Sequence, residues 1–156
     1  MRLLLATVIS CILLTGCDNS SQPTETAAAS ETVTAPVLDE ALILSSSGLK
    51  PIKKYSLEDG HGFYMQESPD AAIEFRDNPP RINVALRTFP EVGYEAKNAT
   101  ANGIAKKLVS VITGTDGQLV DDVIAGEIKP GKQFINGLSV NVSGMEDDWL
   151  FTISKP

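Results

Sequence analysis

The sequence predicts an α+β fold, a two-layer sandwich with a helix pair packed on a mostly antiparallel sheet that ends in a C-terminal hairpin. Three patterns carry this reading. Ala101, Ile104, Ala105, Leu108, Val111 and Ile112 recur at three- and four-residue steps, the spacing of a single helix face. Ile82, Val84 and Leu86 alternate with Asn83, Ala85 and Arg87, the period of a strand with one buried face. Leu138, Val140 and Val142, then Trp149, Phe151 and Ile153, alternate again on either side of Gly144–Asp148. Helices grouped between antiparallel strands suit a layer of helices on one sheet face.

The first element in chain order is not part of that domain. Met1-Arg2 is a short positive start, and Leu3 to Leu14 is an almost unbroken apolar run. Twelve residues fall short of the roughly 20 that a helix needs to cross a bilayer, and match the core of a signal peptide. The run ends in Leu14-Thr15-Gly16-Cys17. This segment resembles the lipobox of bacterial lipoproteins, in which small residues before the cysteine let an extended chain enter a protease at the membrane surface. The resemblance covers residues 1–17. It implies cleavage between Gly16 and Cys17, a diacylglyceryl thioether on Cys17 and acylation of the new amine. Several acyl chains of this kind hold a protein stably, where a single one is marginal. Apart from the covalent diacylglycerol and N-acyl chain on Cys17, no cofactor is expected. Asp18, next in line, resembles the signal that retains enterobacterial lipoproteins in the inner membrane. The expected location is the bacterial envelope, facing the periplasm, with the inner membrane favoured over the outer.

Residues 17–40 then read as the lipidated cysteine and a tether. From Asp18 to Glu40 there is no aromatic residue, lysine or arginine, and Ser, Thr, Ala, Pro and Glu dominate. Such a segment buries too little apolar area to offset its chain entropy. As a flexible coil it spans roughly 25 Å on average. The single domain is expected over 41–156.

Within it, Ala41–Leu44 is apolar and reads as an edge strand or a short helix docked on the domain. Lys50, Lys53 and Lys54 form a small basic cluster that reads as a solvated face. Ser68-Pro69-Asp70 looks like a helix start, so Ala71–Phe75 is a short helix or a strand. The Pro79-Pro80 break leads into a strand over Arg81–Phe89. The helix of Ala99–Thr113 is expected to be capped by Asn98 or Thr100 and to end near Gly114. Asp116 caps a second helix, Gln118–Ala125, closed by Gly126, Pro130 and Gly131. The final hairpin has a turn of four to five residues, and Trp149 is expected in the core with Phe151 and Ile153.

Composition narrows the chemistry. Twenty acidic against thirteen basic residues give a net charge of -7, which argues against a general nucleic-acid binder and suits a soluble domain or a basic partner. Of the two cysteines, Cys11 leaves with the signal and Cys17 is lipidated, so the mature domain has no thiol or disulfide. One histidine, His61, is present. Its glycine neighbours, Gly60 and Gly62, point to a loop. Thr115-Asp116-Gly117-Gln118 does not continue into a calcium loop, because Val123 occupies the place of the bidentate glutamate. Gly126–Gly131 with Lys132-Gln133 lacks the spacing and hydroxyl of a phosphate loop. Glu146, Asp147 and Asp148 read as a solvated turn.

No catalytic or metal-binding set emerges, and the chain is not expected to be an enzyme. The expected role is a non-catalytic, membrane-anchored domain that binds or modulates another envelope protein. Two alternatives stay open. One is a small-ligand binder with Tyr55, His61, Phe63 and Tyr64 as the binding surface, which requires a concave aromatic pocket. The other is a carboxylate-based cell-wall hydrolase, which requires two facing carboxyl groups.

Overall fold

The computed structural model describes residues 35–66 and 68–156. The signal segment, Cys17, Asp18 and the tether up to residue 34 lie outside the described residues. Residues 32–156 form a compact unit of their own.

The order of elements is α1 (Glu40–Ser47), β1 (Pro51–Leu57), β2 (Gly60–Met65), β3 (Ala71–Asp77), β4 (Pro80–Arg87), α2 (Glu95–Thr113), α3 (Gln118–Ile124), β5 (Gly131–Ile135), β6 (Leu138–Met145) and β7 (Asp148–Ser154). The seven strands form one antiparallel sheet in the order β1-β2-β3-β4-β7-β6-β5. The α+β class, the helix pair on a sheet and the C-terminal hairpin are therefore as the periodicity predicts, while the sheet is larger than three alternating segments indicate.

Strand alternation gives the sheet two unlike faces. Phe63, Met65, Ile73, Val84, Leu86, Phe151, Ile153, Val140 and Val142 point to one side, where they share a single core with Ile43 of α1, with Ile104, Leu108 and Ile112 of α2, and with Val120 and Val123 of α3. Among the described residues no helix covers the other face. No described helix is long and apolar enough to cross a membrane.

Several expected details change. The apolar segment at 41–44 is helical: Asp39 caps α1 by accepting from the Leu42 N–H at 2.9 Å, and Gly48 closes it in the left-handed conformation at φ 65°. Folded structure begins before residue 41, since Val37 and Leu38 pack on the core and the Val37 N–H donates to the Ile112 carbonyl. Ala71–Phe75 is strand, its residues in register between β2 and β4. Ser68 still bonds the Asp70 N–H, but that local turn feeds a strand because Ala71 and Ile73 alternate into the core.

Helix α2 starts at Glu95, four residues before the expected Ala99, and its end at Gly114 is as read. Asn98 does not cap the helix. Its amide bonds the Phe89 backbone in both senses, at 2.9 Å from the N–H and 2.7 Å to the carbonyl, fastening the β4–α2 connection. Thr100 donates back to the Ala96 carbonyl, as a mid-helix hydroxyl does. Asp116 is not the cap of α3, whose N-cap is Gly117 in the left-handed conformation at φ 77°; from one residue earlier its carboxylate accepts from the Gln118 N–H at 2.9 Å. The last hairpin is tighter than expected. Met145 pairs with Asp148, leaving Glu146 and Asp147 as the turn, with Glu146 at φ 55°. Trp149 is half-buried at the margin of the core, its indole lying over Gly144 where a Cβ would meet the ring.

Candidate functional site

The β1–β2 hairpin turns at Glu58-Asp59, and Tyr55 pairs with Gly62, which pairs in turn with Glu74 on β3. Gly62 lacks a side chain under the Tyr55 ring, and a Cβ there would run into the phenol. The tyrosine therefore lies across β2. Its hydroxyl donates to Glu74 Oε1 at 3.3 Å, and its ring meets Tyr64 at 4.7 Å between centroids. Burial, and then the charge of Glu74, push the Tyr55 phenol above its ordinary range, so it stays a protonated donor.

Glu74 is the hub of this uncovered face. Its Oε2 accepts from Arg76 Nε at 3.1 Å and from Asn83 Nδ2 at 3.0 Å, and forms an ion pair with Arg76 Nη2 at 3.1 Å. Arg76 and Arg81 both reach Asp59 at the hairpin turn. Asn83 is only 5 % exposed, and its Oδ1 has no hydrogen-bond partner among the described residues.

Beside this network runs a groove of about 540 Å³. Its floor is made by register: Tyr64, Ala72, Ala85, Leu150 and Ser143 stand side by side across β2, β3, β4, β7 and β6. The two alanines form a low strip between the tyrosine pair and Leu150. At one end Arg87 forms a two-pronged pair with Asp148, at 2.7 and 3.0 Å. That guanidinium holds the Asp148 carboxyl below the usual carboxylate range. Met145 and Phe134 project from the same face at 79 % and 68 % exposure.

The four aromatic and histidine positions singled out by sequence do not form one surface. Tyr55 and Tyr64 line the groove, whereas His61 and Phe63 point to the helix side. His61 lies in strand β2, not in a loop, and its Nε2 is 2.8 Å from Glu40 Oε2 of α1. Its ring sits against Phe63 and Phe75. Phe63 is a core residue. Strand alternation separates neighbours that a loop would have left together.

Glu74, Asn83, Ala72 and Ala85 were not singled out by sequence. Their signal, alternation between buried apolar and small or polar residues, is present in β4 but reports burial, not which polar positions converge. Cys17 and Asp18 lie outside the described residues. Comparison with known proteins finds nothing similar: no family model, no curated protein and no solved structure matches the chain.

Proposed function

We propose that the chain is a lipoprotein of the bacterial envelope, anchored through Cys17 at the periplasmic side of the inner membrane, whose non-catalytic domain docks another envelope protein on its uncovered sheet face. The observation that carries the docking face is its content: Met145, Phe134, Tyr64 and Leu150 stand on the one side that no described helix covers. Methionine and aromatic side chains with a polar rim are the composition of protein interfaces. The anchor rests on Leu14-Thr15-Gly16-Cys17 and the apolar run before it. The non-catalytic reading is supported by the way the groove's carboxylates are held. Arg87 holds the Asp148 carboxyl below its ordinary range, whereas a glycoside hydrolase needs a carboxyl group of raised pKa as its acid.

A second reading, capture of a small ligand, is favoured by the groove beside the Tyr55–Tyr64 pair, whose volume falls in the usual range for ligand sites. Site-specific photo-crosslinking in living cells separates the two. A crosslinker at Tyr64 or Met145 is expected to trap one envelope protein, and the same group at Lys107, on the exposed side of α2, is not. Equal adducts from both faces would refute the docking face. A ligand-sized adduct from Tyr64 alone would favour the second reading.

A further inference from the structure

The two edges of the sheet are unlike. On β1 stand Pro51, Lys53 and Lys54, with a register shift between Pro51 and Lys53, devices that turn away a further strand. Strand β5 ends the other side with Gly131-Lys132-Gln133-Phe134-Ile135, one lysine and no proline. Asn136 and Gly137, at φ 48° and 76°, join it to β6 through a two-residue turn, so Ile135 and Leu138 are the hydrogen-bonded pair that closes the hairpin. Gln133 and Ile135 therefore direct their backbone N–H and C=O groups to β6, and those of Lys132 and Phe134 point to the free side. No other backbone group bonds them among the described residues.

Side chains along this edge sort by face. Ile135 packs against the core, whereas Lys132 and Phe134 stand exposed on the face that no described helix covers, with Lys132 Nζ 5.0 Å from the centre of the Phe134 ring. The local charge is the reverse of the chain's. Between Glu127 and Glu146 there is no acidic residue, while Lys129 and Lys132 occur, in a chain of net charge -7. Neither lysine has an ion-pair partner among the described residues. The β5 edge thus offers free backbone groups, an exposed aromatic ring and an uncompensated cation.

We propose that β5 accepts an added strand from another protein, an extended segment with a carboxylate beside Lys132 and an apolar side chain two positions away beside Phe134. The backbone groups of Lys132 and Phe134 hold the strand, and its alternating side chains are what the edge selects. Charge complementarity favours this occupant over a second copy of the chain, whose β5 would bring another pair of lysines to the same edge. The assignment does not rest on what the groove beside Tyr64 binds, since either can be occupied with the other idle.

The test uses residues 18–156, which hold every described residue and omit Cys17. The probes are the end-capped peptide Thr-Val-Thr-Glu-Thr-Val-Thr, which sets a valine two positions from the glutamate in either strand direction, and its counterpart with lysine for glutamate. In amide NMR titrations the glutamate peptide is expected to shift the Lys132 and Phe134 amides and slow their hydrogen exchange, with Lys53 and Lys54 on the opposite edge unchanged. The lysine peptide is expected to bind about threefold more weakly, the effect of one exposed charge pair. Phe134→Pro removes an outward N–H and no bond to β6, and is expected to abolish binding while the β6 and β7 amides keep their shifts. Phe134→Ala keeps that N–H and is expected to weaken binding less. Equal affinity for the two peptides, shifts confined to β1 or to the groove beside Tyr64, no binding by the folded chain, or equal binding by Phe134→Pro and Phe134→Ala would overturn the assignment. So would concentration-dependent shifts of the Lys132 and Phe134 amides without peptide, which would give the edge to a second copy.

Discussion

Asp59 holds two guanidiniums, those of Arg76 and Arg81, at the tip of the β1–β2 hairpin. The hydrogen bond from Arg76 is the main reason its carboxyl lies below the ordinary range. A carboxyl group whose folded pKa is depressed stabilises the fold above its unfolded value, near 3.9, and that contribution is lost as pH falls through the lower folded value. The melting temperature of Asp59→Asn is therefore expected to lie below that of the parent at neutral pH, and the two curves are expected to converge as pH falls below the ordinary carboxylate range. Thermal unfolding followed by circular dichroism across this range measures the difference, and parallel curves would count against the linkage. At this scale the sequence is least transparent. Tyr55 and Tyr64 are recognisable as aromatic residues close together, but Gly62 looks like loop punctuation. Its role under the Tyr55 ring depends on the pairing of β1 with β2, which local residue order does not state.

The elements differ in how openly their residues announce them. The stripe through α2 and the alternation in β4, β6 and β7 repeat over enough residues to fix both type and buried face. Strand β1 is an edge, Pro51-Ile52-Lys53-Lys54 are all exposed, and the alternation that marks a half-buried strand is missing. Proline and lysine there guard a free edge against pairing with other chains, so the same residues that hide the strand from pattern reading explain its place. Strand β2 is masked by Gly60 and Gly62, and β5 by its shortness. Helix α1 is the element most dependent on local chemistry. It has eight residues, too few for stability in isolation, and two devices fix its start, the Asp39 cap and the Glu40–His61 pair. Asp39→Ala is expected to cost about 1 kcal/mol. In a domain of this size that lowers the melting temperature by roughly 3–5 °C. It is also expected to raise the rate of limited proteolysis near Glu40–Ser47 more than elsewhere. Uniform loss of protection along the chain would show that the cap serves the whole core and not this helix.

At the scale of the whole molecule, the stable part and the delivered part are separate problems. The core of the domain joins every helix to one sheet face without needing a disulfide, consistent with a sequence whose two cysteines both stand at positions 11 and 17. Its two-layer class is legible because burial on one face only is what period-2 and period-3.6 patterns record. The other face carries the candidate docking groove, and periodicity marks it only as polar. Delivery is written at the N-terminus in a different code, small residues before a cysteine, which specifies processing and no fold. Cys17→Ala separates the two. If lipid on Cys17 is the anchor, the substituted chain stays uncleaved at Gly16 and metabolic labelling with a palmitate analogue marks the parent chain alone. Asp18→Ser, in an enterobacterial host, is then expected to shift the lipidated protein from inner- to outer-membrane fractions with no change in labelling. Cleavage and labelling of Cys17→Ala at the parental level would remove the anchor from the proposal. The domain, its groove and its β5 edge would remain to be delivered by some other means.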